Sequence, residues 1–525
     1  MLRCGDEAQG SEAAPVVGLT SGPASPTSDS NPGHVVGRPL VVARGRLVPG
    51  EPCCLRLEDG RVVACVPLGP GERPPRDGSV LGDDGVLLLP AFADPHLHLF
   101  ACAADRVGLE LGDAPPPTIP ALLERLREVA RGLPPGAWLR ASGYDEAWLA
   151  EGRHPTRAEL DDAVPAHPLR LRHATRHATL LNGAGWMRVE QEIGRPAADL
   201  APRDGRGFPV GPVFALEPEI TRVVGPVDPA ALARGLRAVG GALARCGVVH
   251  VDEVTASNDA ARVARLAGAV ADGDLPQRVR AFVADADEAE AARRAAGELV
   301  SIAGVKLLAR STDEVHAHDF RDRLGRARRA GLPVAVHAIE PDVVVAVLDA
   351  PASAPPRAGA DRAPDRLEHA SLCPPEVVQR IASAGVAVVT QPAFVARRGD
   401  KYRREVEEPL HDWLYPLRDL RAAGVTVAAG SDAPVVPFDP RLGLDGAVRR
   451  TTRDGAVLGA RQALTDADAL ELFTAAPAAL RGERPASAFA SGAVADLVLA
   501  EAESWREGWR GLRIRHALRA GRVIA

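Results

Sequence analysis

The sequence predicts an α/β fold, a (β/α)8 barrel with a long insertion after its first strand and a small sheet to which both ends of the chain contribute. Three observations predict it. Apolar strand-like runs alternate with Ala-, Leu- and Arg-rich helical stretches through most of the chain, the pattern of repeated βα units. Eight such runs can be picked out, the number that closes a barrel, although a seven-strand or open doubly wound sheet has the same local texture. Several runs end in His, Lys or Asp, as strands converging on one mouth do.

The strands are expected at 86–93, 248–254, 278–283, 304–308, 332–337, 366–370, 386–391 and 425–430, with helices at 230–245, 259–271, 319–330, 375–384 and 414–423 between them. From Phe100 to about Pro229 the chain is too long for a crossover. It reads as an inserted subdomain, with prolines at 115–117, an amphipathic helix near 121–131 and a polar segment at 143–182. Ahead of the barrel, β-like runs at 40–47, 53–57 and 61–68 are separated by Pro-Gly, Asp-Gly and Gly-Pro turn signals. Comparable runs follow the barrel at 495–500, 514–519 and 523–524. Chain ends often meet in space, so the two groups are expected to share one sheet.

Composition narrows the function. With 63 basic against 69 acidic residues the net charge is −6, so the chain has no basic field for nucleic acid or anionic membrane. Hydrophobic residues at 46% and charged residues at 25% fit an ordinary globular protein. No run approaches the roughly 18 apolar residues of a membrane span. The 7 cysteines form no CxxC pair, which points to a reducing, cytoplasmic setting. Residues 1–33, rich in Ser, Pro, Gly and Ala, lack the basic start and apolar run of a signal peptide, and a disordered tail is expected there. The partner expected is a small-molecule substrate; a homodimer is allowed.

The chemistry-bearing residues sit at strand ends. His96-Leu97-His98 follows the apolar run that opens the barrel. Residues i and i+2 of a strand share a face roughly 6.5 Å apart, so two imidazoles can converge on one cation; in isolation the pair could equally be two polar residues at a strand end. Lys306, His337, His369 and Asp432 end four further runs. A barrel turns all its C-terminal strand ends to one mouth and so brings the six together. Neutral imidazoles suit Zn2+ and related ions, and an ion with an open position brings the pKa of a bound water towards neutrality. Asp432 is placed to take that water's proton and pass it to the leaving group.

Lys306 cannot ligate as an ammonium. Burial lowers a lysine pKa, and the neutral amine can combine with carbon dioxide to form a carbamate that bridges two ions. Against this, nearby Arg310 suggests a strand end near solvent, where a lysine snorkels. Only Lys306 and Lys401 among the 63 basic residues are lysines, so a lysine inside an apolar run carries weight.

The stretch Leu89-Pro90-Ala91-Phe92-Ala93-Asp94-Pro95-His96-Leu97-His98 resembles the opening motif of the amidohydrolase superfamily. Further blocks resemble its amidohydrolase-3 branch, the YtcJ-like and N-substituted formamide deformylase-like proteins. They are Gly143-Tyr144-Asp145-Glu146, Pro155-Thr156-Arg157 with Glu159-Leu160-Asp161, Arg176-His177 with Asn182, Gly304-Val305-Lys306, Ala335-Val336-His337-Ala338, Arg366-Leu367-Glu368-His369-Ala370, Gly430-Ser431-Asp432-Ala433-Pro434, Ser491-Gly492 and Ala495-Asp496-Leu497-Val498. They run in family order over roughly residues 85 to 500.

The resemblance implies a metal-dependent hydrolase with a TIM barrel and a β-sandwich formed by both termini. That gives a tail at 1–37, sandwich parts at 38–89 and 487–525, and a barrel at 90–486 with the inserted subdomain at 100–229. It implies His96 and His98 as first-strand ligands, Lys306 as the fourth-strand lysine, His337 and His369 as later ligands, and Asp432 as catalytic aspartate and ligand. The ion is divalent, zinc by expectation, in one or two copies, with Lys306 carboxylated in the second case. His177 and Asp145 of the insertion are candidate substrate contacts. His250 matches no metal position and is read as structural.

Two departures leave the substrate open: Leu307-Leu308-Ala309-Arg310 where an Asp-Gly pair often follows the lysine, and Glu340-Pro341 where a Gly-Asp pair is usual. The function expected is hydrolysis of a non-peptide C–N bond, in an amide, formamide or cyclic amide, by metal-activated hydroxide. The alternatives are a mononuclear ring deaminase and, from another class, a non-catalytic scaffold.

Overall fold

The computed structural model describes residues 41–47, 52–68, 79–83, 85–176, 178–194, 203–205, 207–214, 216–350, 363–483 and 487–525. The expected tail and His177 lie outside them.

Eight parallel strands follow one another in chain order around a single sheet: Phe92–Leu97, Val248–Glu253, Arg278–Val283, Val300–Leu308, Val334–Ala338, Arg366–His369, Ala387–Thr390 and Val427–Ala429. The segment after the eighth strand returns to the first. Asp432 N–H donates to His96 O at 2.7 Å, His98 N–H donates to Ala433 O at 2.8 Å, and Leu97 and Ala433 form a parallel bridge. The approach is close enough to require glycine at 430, where a Cβ would stand 2.6 Å from the His96 Cβ. Helices cover the outer face, which is why the strands read as near-continuous apolar runs.

Helix starts and stops follow local chemistry. Asp228 caps Pro229–Arg245 by accepting from Ala231 N–H, and Asp259 caps Ala260–Ala271 by accepting from Arg262 N–H. Pro375–Ala384 stops at Gly385 in the left-handed conformation.

The expected first strand at 86–93 proves to be two. Val86–Pro90 pairs antiparallel with Leu497–Glu501 in the terminal sheet, and the barrel strand begins at Phe92. The switch falls at Pro90, which has no N–H for a ladder. Ala91 then donates to Asp496 O at 3.0 Å and Phe92 to Gly247 O at 2.9 Å.

Both termini do build one eight-stranded sheet. Its order is Arg522–Val523, Ile514–Arg519, Leu497–Glu501, Val86–Pro90, Val41–Leu47, Pro52–Glu58 and Arg61–Pro67, with Ser79–Leu81 beside Val41–Leu47. The sheet curls around a core that includes Leu55, Val62, Leu88, Leu497, Leu499 and Leu518. Its far edge returns to the C-terminal segment, where Val62 N–H donates to Ala493 O at 2.8 Å. His250 Nε2 and Asp496 Oδ2 meet at 2.8 Å and tie this sheet to the second barrel strand, which fits the structural reading of His250.

The insertion folds around its own four-stranded sheet of Leu109–Glu110, Leu139–Tyr144, Leu169–His173 and Thr179–Leu181. Helices Ile119–Arg131, Arg157–Ala163 and Gly183–Ile193 accompany it, and Leu122, Leu126, Leu139, Leu160, Leu169 and Leu171 fill a core of its own. The segment read as polar, 143–182, therefore holds two strands. In Leu169-Arg170-Leu171-Arg172-His173 burial alternates residue by residue, a period of two that the arginines mask in a reading by composition.

Candidate metal centre

Barrel topology delivers the six expected residues to one end. His96 is the penultimate residue of the first strand and His98 follows that strand; Lys306, His337 and His369 lie near the ends of the fourth, fifth and sixth; Asp432 stands three residues beyond the eighth. His96 and His98 have ring centroids 5.6 Å apart, His96 and His369 4.9 Å, and His337 and His369 4.5 Å. Asp432 Oδ1 lies 3.4 Å from His96 Nε2 and 3.2 Å from His98 Nε2. His369 and Asp432 hold positive φ of 76° and 58°, strained values for side chains with a Cβ that the surrounding hydrogen bonds must impose.

Three histidines are tied back through Nδ1, which leaves Nε2 facing the cluster. His96 Nδ1 bonds the Glu368 carboxylate, His98 Nδ1 bonds Thr255 Oγ1 at 3.0 Å, and His369 Nδ1 bonds Gln391 Oε1 at 2.9 Å. Such partners fix the tautomer and ring angle of metal-binding histidines. Glu368 is completely buried and also accepts from Arg366 Nε at 2.6 Å; Arg366 in turn donates to Asp252 at 2.9 Å and to Pro95 O at 2.8 Å. Asp94 accepts from His96 N–H at 3.1 Å and Ser431 N–H at 3.0 Å, locking first strand to eighth.

Lys306 is 2% exposed, which overturns the solvent-edge reading drawn from Arg310. Its Nζ is buried without a hydrogen-bond partner among the described residues.

Electrostatics favour cation binding. Burial, with His369 and Lys306 adding to it, pushes the His337 pKa down to about 2. Burial lowers that of His369 to about 4, so both rings are neutral ligands at ordinary pH. Burial also brings Lys306 down to about 8. For Asp432 burial acts upward, but hydrogen bonds with His96 and His98 outweigh it and hold the carboxylate well below its usual range. A donor set that includes neutral His337 and His369, one anionic carboxylate and an orphaned amine fits a divalent ion.

Asp145 does not join this group. It forms a second cluster with Glu146 and His173, in which His173 Nε2 lies 2.8 Å from Glu146 and 3.6 Å from Asp145, and Asp145 accepts from Ala147 N–H at 2.9 Å. Sequence reasoning gave no role to Glu368, the residue that engages His96 Nδ1. Its signal was there, since Arg366 and Glu368 are opposite charges two residues apart, on one face of a buried strand, and must be paired inside.

A parallel barrel whose mouth gathers histidines, a lysine and an aspartate in this way defines a metal-dependent hydrolase. The chain belongs to the amidohydrolase family, whose model matches residues 84–525, enzymes acting on C–N bonds other than peptide bonds. It is 27% identical over 427 residues to the protein YtcJ of Bacillus subtilis (strain 168), described as an amidohydrolase, covering 74% of this chain and 79% of that one. It is 26% identical over 444 residues to the N-substituted formamide deformylase of Arthrobacter pascens, covering 77% and 81%. Among solved structures, a metal-dependent hydrolase from Pyrococcus horikoshii OT3 shares the fold with a TM-score of 0.66 at 23% identity, over 88% of this chain and 97% of that one.

Proposed function

We propose that the protein hydrolyses a non-peptide C–N bond in a small amide, formamide or cyclic amide, and that His96, His98, Lys306, His337, His369 and Asp432 hold the divalent metal centre that the reaction uses. The observation that carries this reading is the convergence of His96 Nε2 and His98 Nε2 on Asp432 Oδ1 while both Nδ1 atoms are tied back to other partners. A bound divalent ion, zinc in the first instance, supplies Lewis acidity that polarises the scissile carbonyl and acidifies a water. Asp432, anionic and between two imidazoles, takes the water's proton and returns it to the departing nitrogen, so that the amine leaves neutral. Glu368 and Gln391 hold His96 and His369 in the tautomers the centre needs.

Lys306 supports a two-ion centre. Its buried amine has no hydrogen-bond partner among the described residues and a pKa of about 8, so a reactive neutral fraction would be available to take up carbon dioxide as a carbamate that could serve two ions. The rival reading, a single ion and ring deamination, draws support from the compactness of the His96, His98 and Asp432 group, since three protein ligands suffice for one catalytic ion. The curated relative that acts on N-substituted formamides places formamides first among substrates to assay, with His177 and Asp145 as candidate contacts.

Counting ions per chain in the wild type and in Lys306→Arg separates the readings. Two ions, falling together with activity in the variant, are expected. Full activity and unchanged ion content in Lys306→Arg would contradict the bridging carbamate, because a guanidinium stays protonated. The cytoplasmic setting belongs to the same proposal; no disulfide joins the described cysteines, and no helix among the described residues is long and apolar enough to cross a membrane.

A further inference from the structure

Helix Ala393–Glu405 follows the seventh barrel strand and so stands at the mouth. It begins just after Gln391, the residue that holds His369. Phe394, Arg398 and Tyr402 recur every four residues and share one helix face. The Arg398 guanidinium lies 5.2 Å from the centroid of the Phe394 ring. The Tyr402 hydroxyl meets that of Tyr415 at 2.8 Å, and Tyr415 N–H donates at 2.7 Å to the carbonyl of Ser371, two residues beyond His369. An aromatic wall therefore leads from Arg398 towards the metal-ligand shell. Burial raises the Tyr402 hydroxyl pKa, Arg398 pulls it down and Asp432 pushes it up, so both charges reach this side chain.

Arg398 differs from the arginine beside it. Arg397 donates to Gly112 O at 2.7 Å and stacks over Trp148 at 4.3 Å, docking the insertion on the barrel. Arg398 is half-buried, and its Nη2 is enclosed without a hydrogen-bond partner among the described residues. The carboxylate of Asp145 is close enough for Arg398 to help lower its pKa, although burial acts the other way; that carboxylate is already engaged by Ala147 N–H and His173. An enclosed guanidinium edge with no acceptor is costly, and its fork matches a carboxylate.

We propose that Arg398 is a substrate-recognition residue that binds a carboxylate carried by the substrate, next to an aromatic or apolar portion packing on Tyr402, the partly exposed ring of this wall. The ligand's identity as a substrate rests on the hydrolase reading; the anion site itself does not. Two sulfonamides that resist hydrolysis serve as probes: N-methylsulfonylphenylalanine and the matching alcohol, N-methylsulfonylphenylalaninol, which lacks the charge. By calorimetry on the metal-loaded protein, the acid is expected to bind at least about tenfold tighter than the alcohol.

Arg398→Gln is expected to bring that ratio to about one. Arg398→Lys, a gentler change to packing, is expected to lose part of the preference because an ammonium lacks the fork. A wild-type ratio near one, or a ratio that both variants retain, overturns the proposal. Arg398-dependent acid binding in a protein that turns over no C–N substrate removes the hydrolase reading and leaves the anion site standing. Turnover of amides without any acid preference does the reverse.

Discussion

Glu368 sets how His96 presents itself to the centre, and it does so from inside a buried ionic chain with Arg366 and Asp252. Burial pushes its pKa up, but Arg366, Lys306 and His96 outweigh this and keep it ionised. Glu368→Gln should therefore lower metal affinity by about 10- to 100-fold, read by metal titration, and cost about 3–5 kcal/mol of stability because Arg366 keeps its charge without its nearest partner. Unchanged metal affinity would show that His96 needs no such support. Asp432→Asn should leave the fold intact and lower turnover by about 100-fold or more, checked by steady-state assay beside circular dichroism. At this scale the candidate ligands were legible because each lies at or near the C-terminal end of a strand. What the sequence could not show is that His369 leaves the strand's alternation: its φ of 76° turns it to the mouth although Glu368, its neighbour, already faces inward.

Elements were legible where hydrophobic period and capping agreed, as in Arg278–Val283 and Pro375–Ala384, and blurred where two sheets share one apolar run, as at Pro90. The seam between first and eighth strands gives a prediction of its own. Gly430→Ala places a Cβ against His96, and overpacking of this kind costs about 1–3 kcal/mol; denaturant unfolding should show that loss together with weaker metal retention. The link between barrel and terminal sheet gives another. Burial lowers the His250 pKa despite Asp496, and for Asp496 the hydrogen bond with His250 outweighs the upward effect of burial. Both groups thus bind protons more readily when unfolded, so stability is present at high pH and is lost as pH falls, first through the ordinary histidine value of 6.5 and later through the ordinary aspartate value of 3.8. His250→Gln should flatten the fall in melting temperature between about pH 7 and pH 5. Parallel profiles for wild type and variant would remove this role.

Across the whole molecule, the barrel turns the end that carries the candidate metal centre towards a subdomain with an independent core, held to it by Arg397 on Gly112 and Trp148 and by Arg453 Nη2 on Ala147 O at 2.7 Å. The insertion's extent could be read from the distance between two strand signals, but its sheet could not, because Arg170 and Arg172 alternate with the buried residues and conceal the pattern. The claim on which everything else depends is that the strand ends hold a metal. Elemental analysis of the purified wild type beside His96→Ala/His98→Ala tests it most directly. One or two tightly held divalent ions per chain are expected in the wild type and loss of ions and turnover together in the variant; full metal content in the variant, or full turnover by a wild type stripped of metal, contradicts it.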